Sequence, residues 1–177
     1  TPKTNVFENH RKTAKLLMGK DVTLYQDAQI TMKKTKTSLV WTAKATADGI
    51  ANIILVGNPE DVTATAGKAG VDVSGIRVVD VNDTAYKEEL LDRYNNSPDK
   101  AMPTSFVKKR IDHPLYLATL LQAVGEADGT LAGVDTTTYE FVLAAKSIIG
   151  MQPNCPTASG LLIEEIDGFA GDQGNLI

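Results

Sequence analysis

Cysteine and histidine are scarce in this chain of 177 residues, and their scarcity excludes several kinds of protein. The one cysteine, Cys155, has no second cysteine to pair with, so a disulfide framework is excluded and a reducing cytoplasm is the expected location. The two histidines, His10 and His113, lie far apart without a flanking ligand pattern, so we predict no metal site. Cys155 has no basic neighbour that would activate its thiol, and we interpret it as a structural residue.

An excess of basic residues and a long apolar run are also missing. Lysine and arginine number 18 against 22 acidic residues, which gives a formal net charge of −4. A non-specific nucleic-acid binder needs a basic stripe that displaces counterions, so we expect no nucleic acid as a partner. No apolar run approaches the roughly 20 residues that span a bilayer, and we expect neither a membrane partner nor a signal peptide at Thr1.

Strand-like and helix-like segments alternate along the chain from Gly49 onward. Residues 52–56 form a continuous apolar run, which is typical of a strand buried on both faces of a sheet. Asn58 fits a helix N-cap and Pro59 fits the first helical position. This helix is predicted to end at Gly70, because a glycine readily adopts the left-handed conformation that closes a helix.

The remaining segments continue the same alternation. Further strands are predicted at 21–25, 76–80, 130–134 and 158–164, and further helices at 38–48, 85–93, 104–111, 114–124 and 138–149. Strands separated by helices of this length imply a mostly parallel sheet between two helical layers. We therefore predict an α/β fold with three αβα layers that is similar to a Rossmann fold.

The run 129–138 carries the clearest indication of a ligand. A short apolar strand leads through Gly133 to three consecutive hydroxyl side chains at the predicted start of a helix. These side chains belong to Thr136, Thr137 and Thr138. A helix start offers free N–H groups and the positive end of the helix dipole, so the pattern favours an anion such as phosphate. The alternative is that Asp135 and the threonines merely cap the helix.

In parallel sheets, ligands bind beyond the carboxyl ends of the strands. Asn58 follows one predicted strand, and the stretch from Gly133 to Thr138 follows another. We predict that these two ends face one crevice.

The order and spacing of several segments resemble the phosphate acetyltransferase and phosphate butyryltransferase family. The segments that carry the resemblance are 49–60, 75–81, 86–94, 127–133 and 137–150. Two phrases stand out, namely Gly-Ile-Ala-Asn-Ile-Ile-Leu-Val-Gly-Asn-Pro-Glu at 49–60 and Ala-Asp-Gly-Thr-Leu-Ala-Gly at 127–133. The resemblance covers roughly residues 49–165 and corresponds to the first half of a family chain.

This resemblance implies transfer of an acetyl or short acyl group between phosphate and coenzyme A. Acetyl phosphate and coenzyme A are then substrates, and no cofactor is bound. It also implies two α/β domains with a cleft between them. Residues 1–150 would form the first domain, with 1–48 as its least certain part, and 151–177 would begin a second domain or a C-terminal extension. The implied assembly is a homo-oligomer such as a dimer, or a pair with a missing C-terminal half.

The resemblance also implies a set of site residues. The phosphate end would be lined by Asn58, Gly133, Thr136, Thr137 and Thr138, with Lys100 supplying charge from a loop. For Lys100, an exposed loop lysine without a ligand is the alternative. Three positions depart from the family pattern. Leu143 and Ser97 stand where the family has arginines, and 25–27 differs from a Pro-Glu-Gly motif. An arginine binds phosphate with two parallel hydrogen bonds, which leucine and serine cannot copy.

These departures leave an alternative to the acyltransferase open. The chain would then be a non-catalytic relative that binds coenzyme A or acyl-coenzyme A, or a regulatory or assembly domain. A third possibility is an unrelated module for a small ligand, which would bind phosphate without any response to coenzyme A. Fold alone cannot choose among these functions, because function depends on the site.

Overall fold

Strands and helices alternate in the computed structural model of the chain, which describes residues 22–27, 36–47, 49, 51–132, 136–158 and 160. The strands are β1 (Val22–Asp27), β2 (Ala51–Val56), β3 (Arg77–Val79) and β4 (Gly129–Leu131). The helices are α1 (Lys36–Ala47), α2 (Pro59–Ala69), α3 (Thr84–Asn95), α4 (Thr104–Lys108), α5 (Pro114–Ala123) and α6 (Thr138–Ile148).

The four strands form one parallel sheet in the order β3–β2–β1–β4. Leu24 of β1 lies beside Ile53 of β2 on one side and beside Gly129 of β4 on the other. The chain thus builds the sheet outward from β1 to β3 and then returns to add β4 on the far side of β1. The strand order therefore reverses between β1 and β4.

The side chains of β2 alternate between two cores, one on each face of the sheet. Ile53 and Leu55 belong to a core that includes residues of α1 and α2. Ile54 and Val56 belong to a second core, with residues from α3, α5 and α6. Because a continuous apolar run supplies both faces, the sheet is covered by helices on both sides, as predicted. The predicted α/β fold is confirmed.

Local signals placed most helix ends correctly. Gly70 ends α2 with a φ of 70°, the left-handed conformation predicted for this glycine. One helix differs, since α4 ends at Lys108 rather than at Ile111. The backbone N–H groups of Arg110 and Ile111 both donate to the carbonyl of Val107, which turns the chain early. The residue before a proline avoids helical conformation, and His113 is indeed extended there.

Two predictions concern, in part or entirely, residues that the structure does not describe. Gly133 and Asp135 lie outside the described residues, and so does most of the predicted strand 158–164. Among the helices that the structure describes, none has both the length and the apolar character needed to cross a membrane.

Candidate functional site

Most of the residues predicted to bind a ligand follow the carboxyl ends of the strands. Asn58 follows β2 and Thr136 follows β4, and β1 lies between these two strands. Neighbouring strands are about 4.8 Å apart, so the two strand ends are separated by about 10 Å across the sheet. This edge includes the point where the strand order reverses, which is where open α/β sheets bind ligands.

Asn58 acts as the N-cap of α2. Its side-chain oxygen accepts hydrogen bonds from the backbone N–H groups of Glu60, at 2.8 Å, and Asp61, at 3.2 Å. The side chain is half-buried. Because its oxygen is committed to the helix, the contribution of Asn58 to this edge is first of all to hold the start of α2 in place.

Thr137 caps α6 in the same way and forms a reciprocal pair with Glu140. The Thr137 hydroxyl accepts from the backbone N–H of Glu140 at 3.2 Å, and the Glu140 carboxylate accepts from the Thr137 N–H at 2.8 Å. These bonds lower the pKa of Glu140, with the backbone bond from Thr137 as the largest cause. The start of α6 therefore already holds a negative charge that belongs to the protein.

Glu140 is a residue at the site that the sequence analysis missed. The signal was present, because a threonine followed three residues later by a glutamate is the pattern of a capping box. The alternative considered from the sequence, that the threonines cap the helix, describes what Thr137 does. Any anion bound at the start of α6 has to share this end of the helix with the carboxylate of Glu140.

The neighbouring threonines differ from Thr137 in their surroundings. Thr136 is half-buried, and its hydroxyl oxygen is buried without a hydrogen-bond partner among the described residues. Thr138 is exposed. No side chain in the described part of the chain caps the N–H groups of Thr138 and Tyr139. These two N–H groups are therefore available to a ligand, whereas the Thr136 hydroxyl is buried.

Two basic side chains lie along the same edge, near the start of α5. His113 caps α5, because its Nδ1 atom accepts from the backbone N–H of Leu115 at 3.2 Å. The charge of His113 also contributes to the lowered pKa of Glu140, so the starts of α5 and α6 are within electrostatic range. Lys87 of α3 forms an ion pair with Asp112, the residue before His113, at 2.5 Å.

Lys100 lies at the opposite edge of the sheet. Its ammonium group donates to the backbone carbonyl of Asn95, the last residue of α3, at 2.7 Å. Lys100 and Ser97 line a cavity of about 280 Å³ together with Ile148 at the end of α6. Since α6 is 11 residues long, this cavity and Thr137 are separated by about 16 Å of helix. The structure does not bring Lys100 together with the threonines.

Leu143 lies on the outward face of α6, one turn beyond its start. Its side chain is 37% exposed, and the neighbouring Tyr139 and Val142 are exposed on the same face. The inward face of α6 carries the buried Ala144 and Ile148. This outward face is apolar at the position where the family resemblance implies an arginine.

Within the described residues, no group of three or more histidine, cysteine, aspartate or glutamate side chains is arranged to hold a metal ion. The carboxyl edge carries hydroxyl groups, backbone N–H groups and two basic side chains, together with the carboxylates of Glu140 and Asp112. The hydroxyl, N–H and basic groups can bind and orient an anion, with which the two carboxylates compete.

Comparison with known proteins gives consistent matches. Residues 26–174 match the profile of a family described as phosphate acetyl/butaryl transferase. The chain is similar to phosphate acetyltransferase of Treponema pallidum, with 28% identity over 130 residues, covering 72% of this chain and 39% of that protein. It is equally similar to phosphate acetyltransferase of Clostridium acetobutylicum, with 28% identity over 145 residues, covering 80% of this chain and 43% of that protein.

A solved structure shows the same fold. The structure described as EutD phosphotransacetylase from Staphylococcus aureus superposes with a TM-score of 0.69 at 22% identity, covering 91% of this chain and 48% of that chain. The chain thus spans less than half the length of these relatives.

Proposed function

Because this chain belongs to the phosphate acetyl/butaryl transferase family, we propose that it forms the phosphate-binding part of an acyltransferase. The reaction transfers an acetyl or short acyl group between phosphate and coenzyme A. The observation that carries the proposal is the start of α6, which presents hydroxyl and N–H donors at the edge where the strand order reverses.

The substrates are acetyl phosphate, or another short acyl phosphate, and coenzyme A. The thiol sulfur attacks the acyl carbon, a C–S bond forms, and the bond from that carbon to the phosphate oxygen breaks. Phosphate leaves with the electron pair, and the thiol proton passes to the departing phosphate or to water. Negative charge gathers on the phosphoryl oxygens, so donors fixed around them lower the barrier by positioning and electrostatic stabilisation.

In this proposal the phosphoryl group lies at the start of α6 beside Thr136, Thr137 and Thr138, with Gly133 allowing the backbone to approach. Thr137 contributes by holding the helix start, because its hydroxyl and N–H are bonded to Glu140. Asn58 supports the neighbouring end of β2 through its cap on α2. The proposal leaves Lys100 out of this phosphate site, because its ammonium group donates to Asn95 at the end of α3 and lines the cavity at the end of α6. These donors are neutral, so they bind phosphate less strongly than an arginine would.

The other half of the active site lies beyond the part of the family that this chain matches. We propose that residues 1–150 form one domain and that 151 begins a second domain or an extension. The complete site is then assembled in a homo-oligomer or with a polypeptide that carries the C-terminal half. A cytoplasmic location fits both substrates, because coenzyme A and acyl phosphates are intracellular metabolites.

A second candidate function is a non-catalytic relative that binds coenzyme A or acyl-coenzyme A or serves as a regulatory or assembly domain. Two observations favour it. Leu143 is apolar where the family resemblance implies an arginine, and the Glu140 carboxylate already occupies the start of α6. Removing one electrostatic donor typically lowers a rate by about 10² to 10³, so such a relative would bind its ligand with little turnover.

The deciding experiment measures thioester formation from acetyl phosphate and coenzyme A. The assay is run on the chain alone and with a C-terminal half of a family member supplied. Thioester formation supports the enzyme, whereas binding of coenzyme A without thioester in either arm supports the non-catalytic relative.

A titration by calorimetry tests the site itself. The variant Thr138→Val should weaken phosphate binding, because it removes a donor from the start of α6. Thr63→Val is a matched control, since Thr63 is also an exposed helical threonine but its hydroxyl donates to the carbonyl of Pro59 within α2. Equal phosphate affinity in both variants and the native chain would remove Thr138 from the site.

A further inference from the structure

Lys87 is a buried lysine that the phosphate site proposed above does not include. The residue lies in the first turns of α3, and its side chain is 11% exposed. Among the described residues its ammonium group has one partner, the carboxylate of Asp112 at 2.5 Å. An ammonium group has three donors, so two remain for other acceptors. Lysine is rarely buried unless it is paired, so a buried lysine with a single, exposed partner calls for an explanation.

Asp112, the partner of Lys87, is much more exposed than the lysine. The Asp112 side chain is 83% exposed and lies in the turn between α4 and α5. Returning such a carboxylate to water costs little, because it is already mostly hydrated. Asp112 also lies at the start of α5, where the positive end of the helix dipole favours an anion. The Asp112 carboxylate thus occupies a place that suits an anion.

This place and the proposed phosphate site lie at the same edge of the sheet, and α5, which begins there, packs against α6. α3 and α5 both begin at the carboxyl edge of the sheet, as α6 does. Asp112 is followed directly by His113, which is within electrostatic range of Glu140 at the start of α6. The start of α6 therefore shares this edge with the Lys87–Asp112 pair.

We propose that Lys87 is the cation that binds the phosphoryl group, and that the phosphoryl group displaces Asp112 from it. This inference rests on the proposed function and assigns a positive charge to a site whose threonines are neutral. During the exchange the ammonium group passes from one anion to another and is never left buried without a partner, which would be costly. A phosphate dianion also carries more charge than the single carboxylate it replaces.

The test is a calorimetric titration of inorganic phosphate at low salt, on the full chain and four variants. Asp112→Asn removes the competing charge but keeps a hydrogen-bond acceptor, so phosphate should bind about tenfold more tightly. Lys87→Met should weaken phosphate binding about tenfold or more. The matched controls are Glu88→Gln and Lys108→Met, which break an ion pair at 2.7 Å whose side chains are 51% and 59% exposed. Both controls should leave the affinity unchanged.

The outcomes separate this inference from the proposed function. Asp112→Asn keeps the buried lysine and leaves it an amide oxygen as a partner, so it remains informative even where Lys87→Met fails to fold. Suppose that Thr138→Val weakens phosphate binding, whereas Asp112→Asn leaves it unchanged or weakens it. This result overturns the role of Lys87 and leaves the proposed function standing. An absence of phosphate binding in the native chain and in every variant overturns the proposed function itself.

Discussion

Arg93 and Glu126 form an ion pair that ties the end of α3 to the turn between α5 and β4. The second nitrogen of the Arg93 guanidinium donates to the backbone carbonyl of Val124 at 2.9 Å. Arg77, the first residue of β3, joins from the other side and donates to the same carboxylate at 2.8 Å. Glu126 thus connects one helix, one strand and the turn that leads into β4.

The two arginines lower the pKa of Glu126 to about 2, and the hydrogen bond from Arg93 is the largest cause. Replacing Glu126→Gln should lower the free energy of unfolding by about 1–2 kcal/mol at neutral pH, a figure reduced because both arginines are partly exposed. Urea unfolding measures this loss. Asp99→Asn is the control, since Asp99 is an exposed acid in the loop that follows α3.

The same pair predicts a dependence on pH. Because the pKa of Glu126 is lower in the folded chain than its ordinary value of 4.5, its contribution is present above that value. It is lost as the pH falls from about 4.5 towards about 2. The difference in unfolding free energy between the native chain and Glu126→Gln should therefore shrink over this range. A difference that stays constant down to acidic pH would show that the arginines do not hold this carboxylate in its charged form.

Asn58 stabilises the start of α2 through two hydrogen bonds. Asn58→Ala leaves the N–H groups of Glu60 and Asp61 without this acceptor, so the free energy of unfolding should fall by about 1 kcal/mol. Asn58→Asp keeps an acceptor oxygen and should retain most of the stability. Denaturant titration compares the three chains, and equal losses in both variants would mean that capping is not what Asn58 contributes.

Leu143 is the position at which a cation can be added to the start of α6. Side chains on a helix point towards its N-terminus, so the guanidinium introduced by Leu143→Arg should reach the threonines. Phosphate affinity should rise about tenfold, and acyl transfer should rise when the C-terminal half is supplied. Ile149→Arg places the same charge beyond the other end of α6, where Ile149 is 38% exposed. An equal gain from both variants would reflect net charge rather than a site.

Glu140 competes with a bound anion at the start of α6. Glu140→Gln removes the negative charge but keeps an oxygen that accepts from the Thr137 N–H, so phosphate should bind more tightly than to the native chain. Calorimetry at low salt measures the change. Glu60→Gln, in the first turn of α2, controls for a general loss of negative charge. Weaker binding in Glu140→Gln would mean that this carboxylate helps to build the site rather than competing for it.

Several features of the site were predictable from the sequence because their causes are local. The apolar run that became β2, the Asn58 cap with Pro59 after it, and the positive φ of Gly70 each depend on a few adjacent residues. The alternation of such segments was also enough to predict a parallel sheet with helices on both faces. The capping box of Thr137 and Glu140 belongs to the same class, although the pattern was not recognised.

The sequence by itself determined the elements, their order and the caps that begin and end them. Only the tertiary structure decided which strands and helices lie next to one another. It placed β4 beside β1 and paired the buried Lys87 with Asp112, 25 residues away, while Lys100 went to the far edge of the sheet. The reason is physical, since caps and apolar runs act within one or two turns of chain. The neighbours of a charged side chain depend instead on how whole helices pack across the sheet.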